Sequence, residues 1–445
     1  MQKSIQLQDI EKYSQNYDKK DLKSLQNAVL KNGIKNATFN SDAVIRDIHV
    51  YSENIETGKV ANQKSSGRCW MFAALNTFRH KLNKDFNMPE FELSQTYTFF
   101  WDKLEKSNYF LESIIKTADE DLDSRLVHHL LAVPQQDGGQ WDMLVSIIQK
   151  YGVVPKYIMP EVFQSTNSAA MNDLLNKKLR KNAYILRSKR EEGLSVEKLQ
   201  EIKEEMLSEI YTFLCVSLGE PPKTFDFEYY DKDGKFHRDL GLTPLDFYNK
   251  YVGIDLNEYI SLINAPTKDK PYHKTFTVDY LGNVIGGKEI KYLNVTMEEL
   301  KNATISQLKD GVSVWFGCDV GQRSDRELGL LDSNVYEFEK AYGVDFNMSK
   351  EVTLDYCESL MTHAMVLSGV NLIDGKSNRW KVENSWGEEP GHKGYFLMTD
   401  EWMDRFTYQV VVNKKYLPKE LRDLIEQEPI VLKPWDPMGS LAIMK

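Results

Sequence analysis

The chain has 445 residues, 41% hydrophobic and 27% charged, and carries a formal net charge of −10. That length exceeds one ordinary core and implies two or three lobes, while the acidic balance argues against a general nucleic-acid surface. No run of 18 or more apolar residues and no apolar leader segment is seen, so neither a membrane span nor a secretory signal is expected. The four cysteines, Cys69, Cys215, Cys318 and Cys357, are scattered without a CxxC pair, which suits a reducing, cytosolic compartment.

Residues 1–58 are mostly polar, with one helical stretch over 21–30, and read as an N-terminal arm. Residues 59–164 read as a helical lobe. In it, apolar residues at Phe72, Ala73, Leu75, Phe78 and Leu82 predict a helix over 69–84, with Ser65 and Ser66 as caps. Trp141, Leu144, Val145 and Ile148 predict a second over 140–151, ended by Gly152. Residues 165–300 read as an inserted subdomain: a charged helix over 195–214, then a hairpin over 225–236 turning at Asp233-Gly234. Residues 301–428 read as a β-rich lobe, with strands over 312–318, 363–370, 379–384, 395–399 and 409–412. Residues 429–445 form a C-terminal arm. The fold class is α+β, with a cleft between the helical and β-rich lobes.

Three remote segments carry complementary chemistry. Cys69 opens a helix, where the dipole and unpaired N–H groups favour a thiolate. His363, at the start of a strand, supplies a base that can hold the thiol proton. Asn384, at a strand end, supplies a carboxamide to accept from the other imidazole N–H, and Trp386 is placed to cover that bond. Gln63, on the loop ahead of the thiol, and the Cys69 N–H offer two donors to an oxyanion. Each residue alone has an ordinary structural reading; their joint order points to acyl transfer from an amide to water. Zinc chemistry is disfavoured, because no HExxH is present and His128 and His129 are adjacent. No metal or organic cofactor is expected.

The segment Ser66-Gly67-Arg68-Cys69-Trp70 resembles the papain-like nucleophile signature, with serine in place of its first cysteine and arginine in place of its small residue. The interval from Cys69 to His363 is much longer than in the papain type, and the block at 165–300 accounts for most of the excess. That layout is similar to the bleomycin hydrolase / aminopeptidase C family of papain-like cysteine peptidases. The matching stretches are Gln63–Phe72, Gln136-Asp137-Gly138-Gly139-Gln140-Trp141, Trp315–Gly321, Glu358–Met365, Val382–Gly387, Gly391–Tyr395 and Trp435–Gly439. They run nearly end to end.

The resemblance implies a papain-like two-lobed fold and hydrolysis of short peptides from the N-terminus by Cys69, His363, Asn384 and Gln63. It implies a homohexamer whose active sites face an inner channel. It also implies that Gly138 and Gly139 pair with the substrate backbone, that Trp386 contributes to substrate binding, and that the tail, ending at Lys445, lies in the cleft with its carboxylate toward the substrate amine. Endopeptidase action within the same family and a nucleic-acid-binding or scaffold hexamer are the alternatives.

Overall fold

The computed structural model describes residues 3–88 and 90–441. The first element, α1 (Leu7–Asp18), buries none of its residues, and the expected arm helix spans Lys23–Asn32. The arm closes with β1 (Glu53–Asn54), which joins a later strand at Gly369 and Val370.

The helical lobe is built on α2 (Cys69–Asp85), α3 (Gln95–Lys116) and α4 (Trp141–Tyr151). Helix α2 is buried on every side through its first two turns, as a helix at the centre of a core must be. Neither Ser65 nor Ser66 caps it. Arg68 is the N-cap residue and offers no side-chain cap, while the Ser66 hydroxyl is spent on a turn with the Gln63 carbonyl. Helix α3 lacks a readable apolar period because Asp102, Lys103, Glu105 and Lys106 are buried within it. Two of these pair internally, Lys106 with Asp102 at 2.7 Å.

Next come the long helices α5 (Ala169–Glu191) and α6 (Val196–Leu218), which pack on α3, and the hairpin β2 (Phe225–Tyr230) and β3 (Phe236–Leu242). The rest of the 165–300 block is not separate from the β-rich lobe. It supplies β4 (Tyr259–Ile263), β5 (Thr275–Val278) and β6 (Tyr292–Asn294) to the main sheet. After helix α7 (Met297–Lys309) the sheet continues with β7 (Val314–Cys318), β8 (Ser324–Asp325), β9 (Leu330–Leu331), β10 (His363–Ile373), β11 (Lys376–Glu383), β12 (Tyr395–Thr399), β13 (Thr407–Asn413) and β14 (Ile430–Leu432).

The strands run in the order β14-β5-β6-β4-β13-β7-β10-β11-β12-β9-β8, with β1 on β10. Alternation assigns the two faces. Trp315, Ala364, Val366 and Val411 join the core shared with α2. Phe316, Met365, Leu367, Val410 and Val412 join a second core with Leu300 of α7, Trp380 and Trp402. The fold is α+β, and the β-rich lobe presents one face to the helix that begins at Cys69.

Candidate active site

Helix α2 packs against β10, and at its first residue the Cys69 thiol meets the Ala364 backbone near the start of that strand. The Cys69 thiol is fully buried, and burial is the largest influence on it, pushing its pKa up to about 12. Backbone hydrogen bonding at Ala364, Trp70 and Cys69 pulls the other way. Ala364 directly follows His363, so sulfur and imidazole come from adjoining positions of the two lobes.

The His363 Nε2 lies 2.9 Å from Asn384 Oδ1. That oxygen also accepts the Ser385 N–H at 2.8 Å, which fixes the orientation of the amide. Nε2 therefore carries the ring proton, and in the neutral ring Nδ1 is the basic nitrogen. Trp386 lies over the imidazole with ring centroids 4.9 Å apart. Burial, aided by the Arg326 cation and opposed by the Asn384 bond, holds the His363 pKa down at about 4. Taken singly, both groups are neutral in the dry cleft. Desolvation thus outweighs the helix-terminus effect expected to ionise the thiol. A proton passing from sulfur to Nδ1 makes two adjacent opposite charges, which offset much of that cost for each other.

Gln63 is buried beside this pair. Its Nε2 donates to Ser66 O at 2.7 Å, its Oε1 accepts from Ser385 Oγ, and its backbone N–H donates to Ser385 O at 2.8 Å. Gly387 N–H returns a bond to Ala61 O at 3.0 Å. Residues 61–63 and 385–387 thus form a short ladder joining the loop ahead of Cys69 to the turn after Asn384.

Two ion pairs, one buried and one part-buried, hold that loop, and neither is legible in the sequence. Asp137 accepts the Gly67 N–H at 3.0 Å and pairs with Lys103 at 2.7 Å. Although burial is the largest influence on Asp137, Lys103, Ser168 and Gly67 together keep its carboxyl well below the usual range. Arg68 is fully buried and meets Glu161 through two nitrogens, at 3.0 and 2.6 Å. The guanidinium carbon lies 5.1 Å from the ring centres of both Phe72 and Phe99. This explains how arginine is accommodated where the papain signature has a small residue: the side chain is held in its own socket by Glu161, the Ser66 hydroxyl and two aromatic rings. A third pair, Arg79 with Glu383 at 2.7 Å, ties α2 to the residue before Asn384, and His80 meets the same carboxylate at 2.9 Å.

Gly138 O accepts Lys106 Nζ at 2.6 Å. A Cβ on Gly139 would fall 2.5 Å from the Trp70 ring, so glycine there is demanded by packing, independently of any substrate. Gln140 Nε2 donates to Ser440 O at 2.6 Å, and Ser440 Oγ donates to Met361 O at 2.6 Å. The C-terminal arm therefore passes between the segment after Gly139 and the segment before His363. Lys445 lies outside the described residues. Among those residues, no cluster of three or more His, Cys, Asp or Glu side chains is arranged to hold a metal ion, and no helix is long and apolar enough to cross a membrane.

A thiol at a helix start, an amide-bonded histidine and a glutamine linked to both by a ladder form a papain-like arrangement, and residues 4–439 match the Peptidase C1-like family. The chain belongs to that family. This cysteine peptidase is 58% identical over 444 residues to aminopeptidase C of Listeria monocytogenes, covering 100% of each chain. It is 46% identical over 404 residues to bleomycin hydrolase of Mus musculus, covering 88% of this chain and 89% of that one. The crystal structure of PepW from Lactobacillus rhamnosis HN001 superposes with a TM-score of 0.98 at 54% identity, over 99% of this peptidase and 100% of that chain.

Proposed function

We propose that this peptidase is a cytosolic aminopeptidase that removes N-terminal residues from short peptides through a thioester intermediate. The observation that carries the mechanism is the His363–Asn384 hydrogen bond at 2.9 Å, set where β10 meets the helix that begins at Cys69. The exopeptidase direction is supported by the aminopeptidase C relatives and by the arm threaded past Gln140 and Met361.

In this reading Nδ1 of His363 takes the Cys69 proton and sulfur attacks the scissile carbonyl carbon. The oxygen, now negative, receives hydrogen bonds from the Cys69 N–H and Gln63 Nε2, while Ser385 Oγ and the residue 61–63 ladder hold that carboxamide in place. The imidazolium returns its proton to the leaving nitrogen as the C–N bond breaks. Water, deprotonated by the same imidazole, then cleaves the thioester and restores the thiol. Gly138 and Gly139 hold the substrate backbone, and Trp386 shields the His363–Asn384 bond from water. No metal or organic cofactor takes part.

The same reading places the enzyme in a homohexamer, its contact surface drawn from the arm, where Leu7, Leu30 and Ile45 are 82, 77 and 74% exposed. These exposed apolar side chains are the proposed contact residues.

The decisive assay compares an amino-acid amide, a free tripeptide and its N-acetylated form, with wild type and Cys69→Ala. Cleavage of the first two by wild type, a large loss on acetylation and no turnover by Cys69→Ala are expected. Equal rates on free and acetylated peptide would assign endopeptidase action instead; turnover by Cys69→Ala would remove Cys69 from its role. Retention on DNA that weakens with salt would favour the nucleic-acid-binding alternative.

A further inference from the structure

The Arg326 guanidinium sits 4.6 Å from the ring centre of Trp386, on the indole that lies over His363. Among the described residues it is exposed, and none of their carboxylates is within ion-pair distance of it. Its neighbour Asp325 is occupied, accepting the Leu328 N–H at 3.0 Å and the Tyr336 hydroxyl at 3.2 Å.

The turn bearing Arg326 is firmly placed. It joins β8 to β9, which pairs in turn with β12. Glu327 O accepts the Gly391 N–H at 3.0 Å, and Gly329 O accepts the Leu397 N–H at 2.8 Å. Gly329 has φ +70° and lies so close to Gly391 that a Cβ would fall 2.5 Å from its Cα. This cation is held by its backbone and its aromatic platform, with its charge left for an external anion.

Its position relative to the chemistry says which anion. His363 delivers a proton to the departing amine, so the leaving half of a peptide starts at the imidazole and runs out on the side covered by Trp386. The two ring contacts set the imidazole and guanidinium under about 10 Å apart, within the reach of two to three extended residues. The geometry points to Arg326 as a specificity residue that binds a carboxylate on the leaving portion of the substrate. This rests on the peptidase reading above and adds the substrate class: peptides whose departing part is short and anionic. The carboxylate has two chemical sources, the C-terminus of a di- or tripeptide or an acidic side chain. A guanidinium suits either, because it presents several donors in one plane and stays charged at any working pH.

The test uses the full chain as wild type, Arg326→Met and Arg326→Lys, with Ala-Ala-Ala, Ala-Ala-Ala amide and Ala-Glu amide. Methionine keeps an apolar contact on the indole and removes the charge; lysine restores a charge without the fork. Wild type should favour Ala-Ala-Ala over its amide by about three- to fivefold in kcat/KM, the size of a solvent-exposed ion pair. That preference should appear in KM and weaken with added salt. Arg326→Met should bring the ratio close to one, and Arg326→Lys should recover part of it.

A preference confined to Ala-Ala-Ala identifies the terminal carboxylate as the ligand, and one shared by Ala-Glu amide admits the side chain as well. The inference is overturned if Arg326→Met keeps the wild-type ratio for both anionic peptides, or if its loss lies in kcat alike for all three. Failure of wild type to cleave any of the three would remove the peptidase reading itself, and this inference with it.

Discussion

At the scale of single residues, the site's protonation is governed by desolvation. His363 is held down at about 4 from an ordinary value of 6.5, with burial as the first cause. The sign follows directly. Between those two pH values the unfolded chain binds a proton at this histidine and the folded chain does not, so its contribution is complete above pH 6.5 and is lost as pH falls toward 4. From pH 7 to pH 5 that loss is about 2 kcal/mol. We expect the thermal midpoint to drop over this interval, and His363→Gln to show a visibly smaller drop. His80, also buried with a lowered pKa, acts in the same direction in both proteins and cancels from the comparison. An identical drop in wild type and variant would rule out a buried neutral His363.

At the scale of elements, the two lobes are joined by more than apolar packing. The Arg79–Glu383 pair connects the middle of α2 to the end of β11, one residue before Asn384. Both side chains are buried. Removing the carboxylate leaves Arg79 with the Lys59 carbonyl at 3.0 Å and His80 with only Ser313 Oγ at 2.9 Å, and a buried cation deprived of its partner costs about 3–5 kcal/mol. Glu383→Ala should therefore lower stability by that order and release the turn carrying Asn384. Chemical denaturation, with kcat followed in parallel, checks both effects. A loss under about 1 kcal/mol would mean that the pair merely breaks even with solvent.

At the scale of the whole molecule, the arm is the part least accounted for by one chain. Helix α1 buries nothing, yet Leu7, Ile10, Tyr13 and Tyr17 recur along it and are all exposed. Such a helix has little reason to persist alone, since helical stability in proteins comes mostly from packing an apolar face. In the homohexamer proposed above, burial against other copies would supply that reason. Leu7→Asp combined with Ile10→Asp should shift the assembly toward smaller species in sedimentation velocity, at a protein concentration where wild type stays associated. An unchanged distribution would place the contact surface elsewhere on the chain.

Read without coordinates, the chain already disclosed its α+β class, the helix that starts at Cys69, the strand that starts at His363 and the papain-like order of thiol, imidazole and amide. These are local signals: an apolar period, a turn, a short motif. The long helices α3 and α5 and the strands β4 to β6 escaped that reading. In α3 buried charges interrupt the apolar period, and β6 is only three residues long, its place set by its neighbours in the sheet. The Arg68–Glu161 contact spans 93 residues, and Arg326 meets Trp386 from a turn that packs closely on the one at Gly391. Tertiary structure alone decided which charges are buried in pairs, which one is left open beside the imidazole, and that burial pushes the thiol pKa up and the histidine pKa down. The physical reason is common to all three. Solvent exclusion and charge pairing depend on distances between remote segments, and a local pattern does not encode those distances.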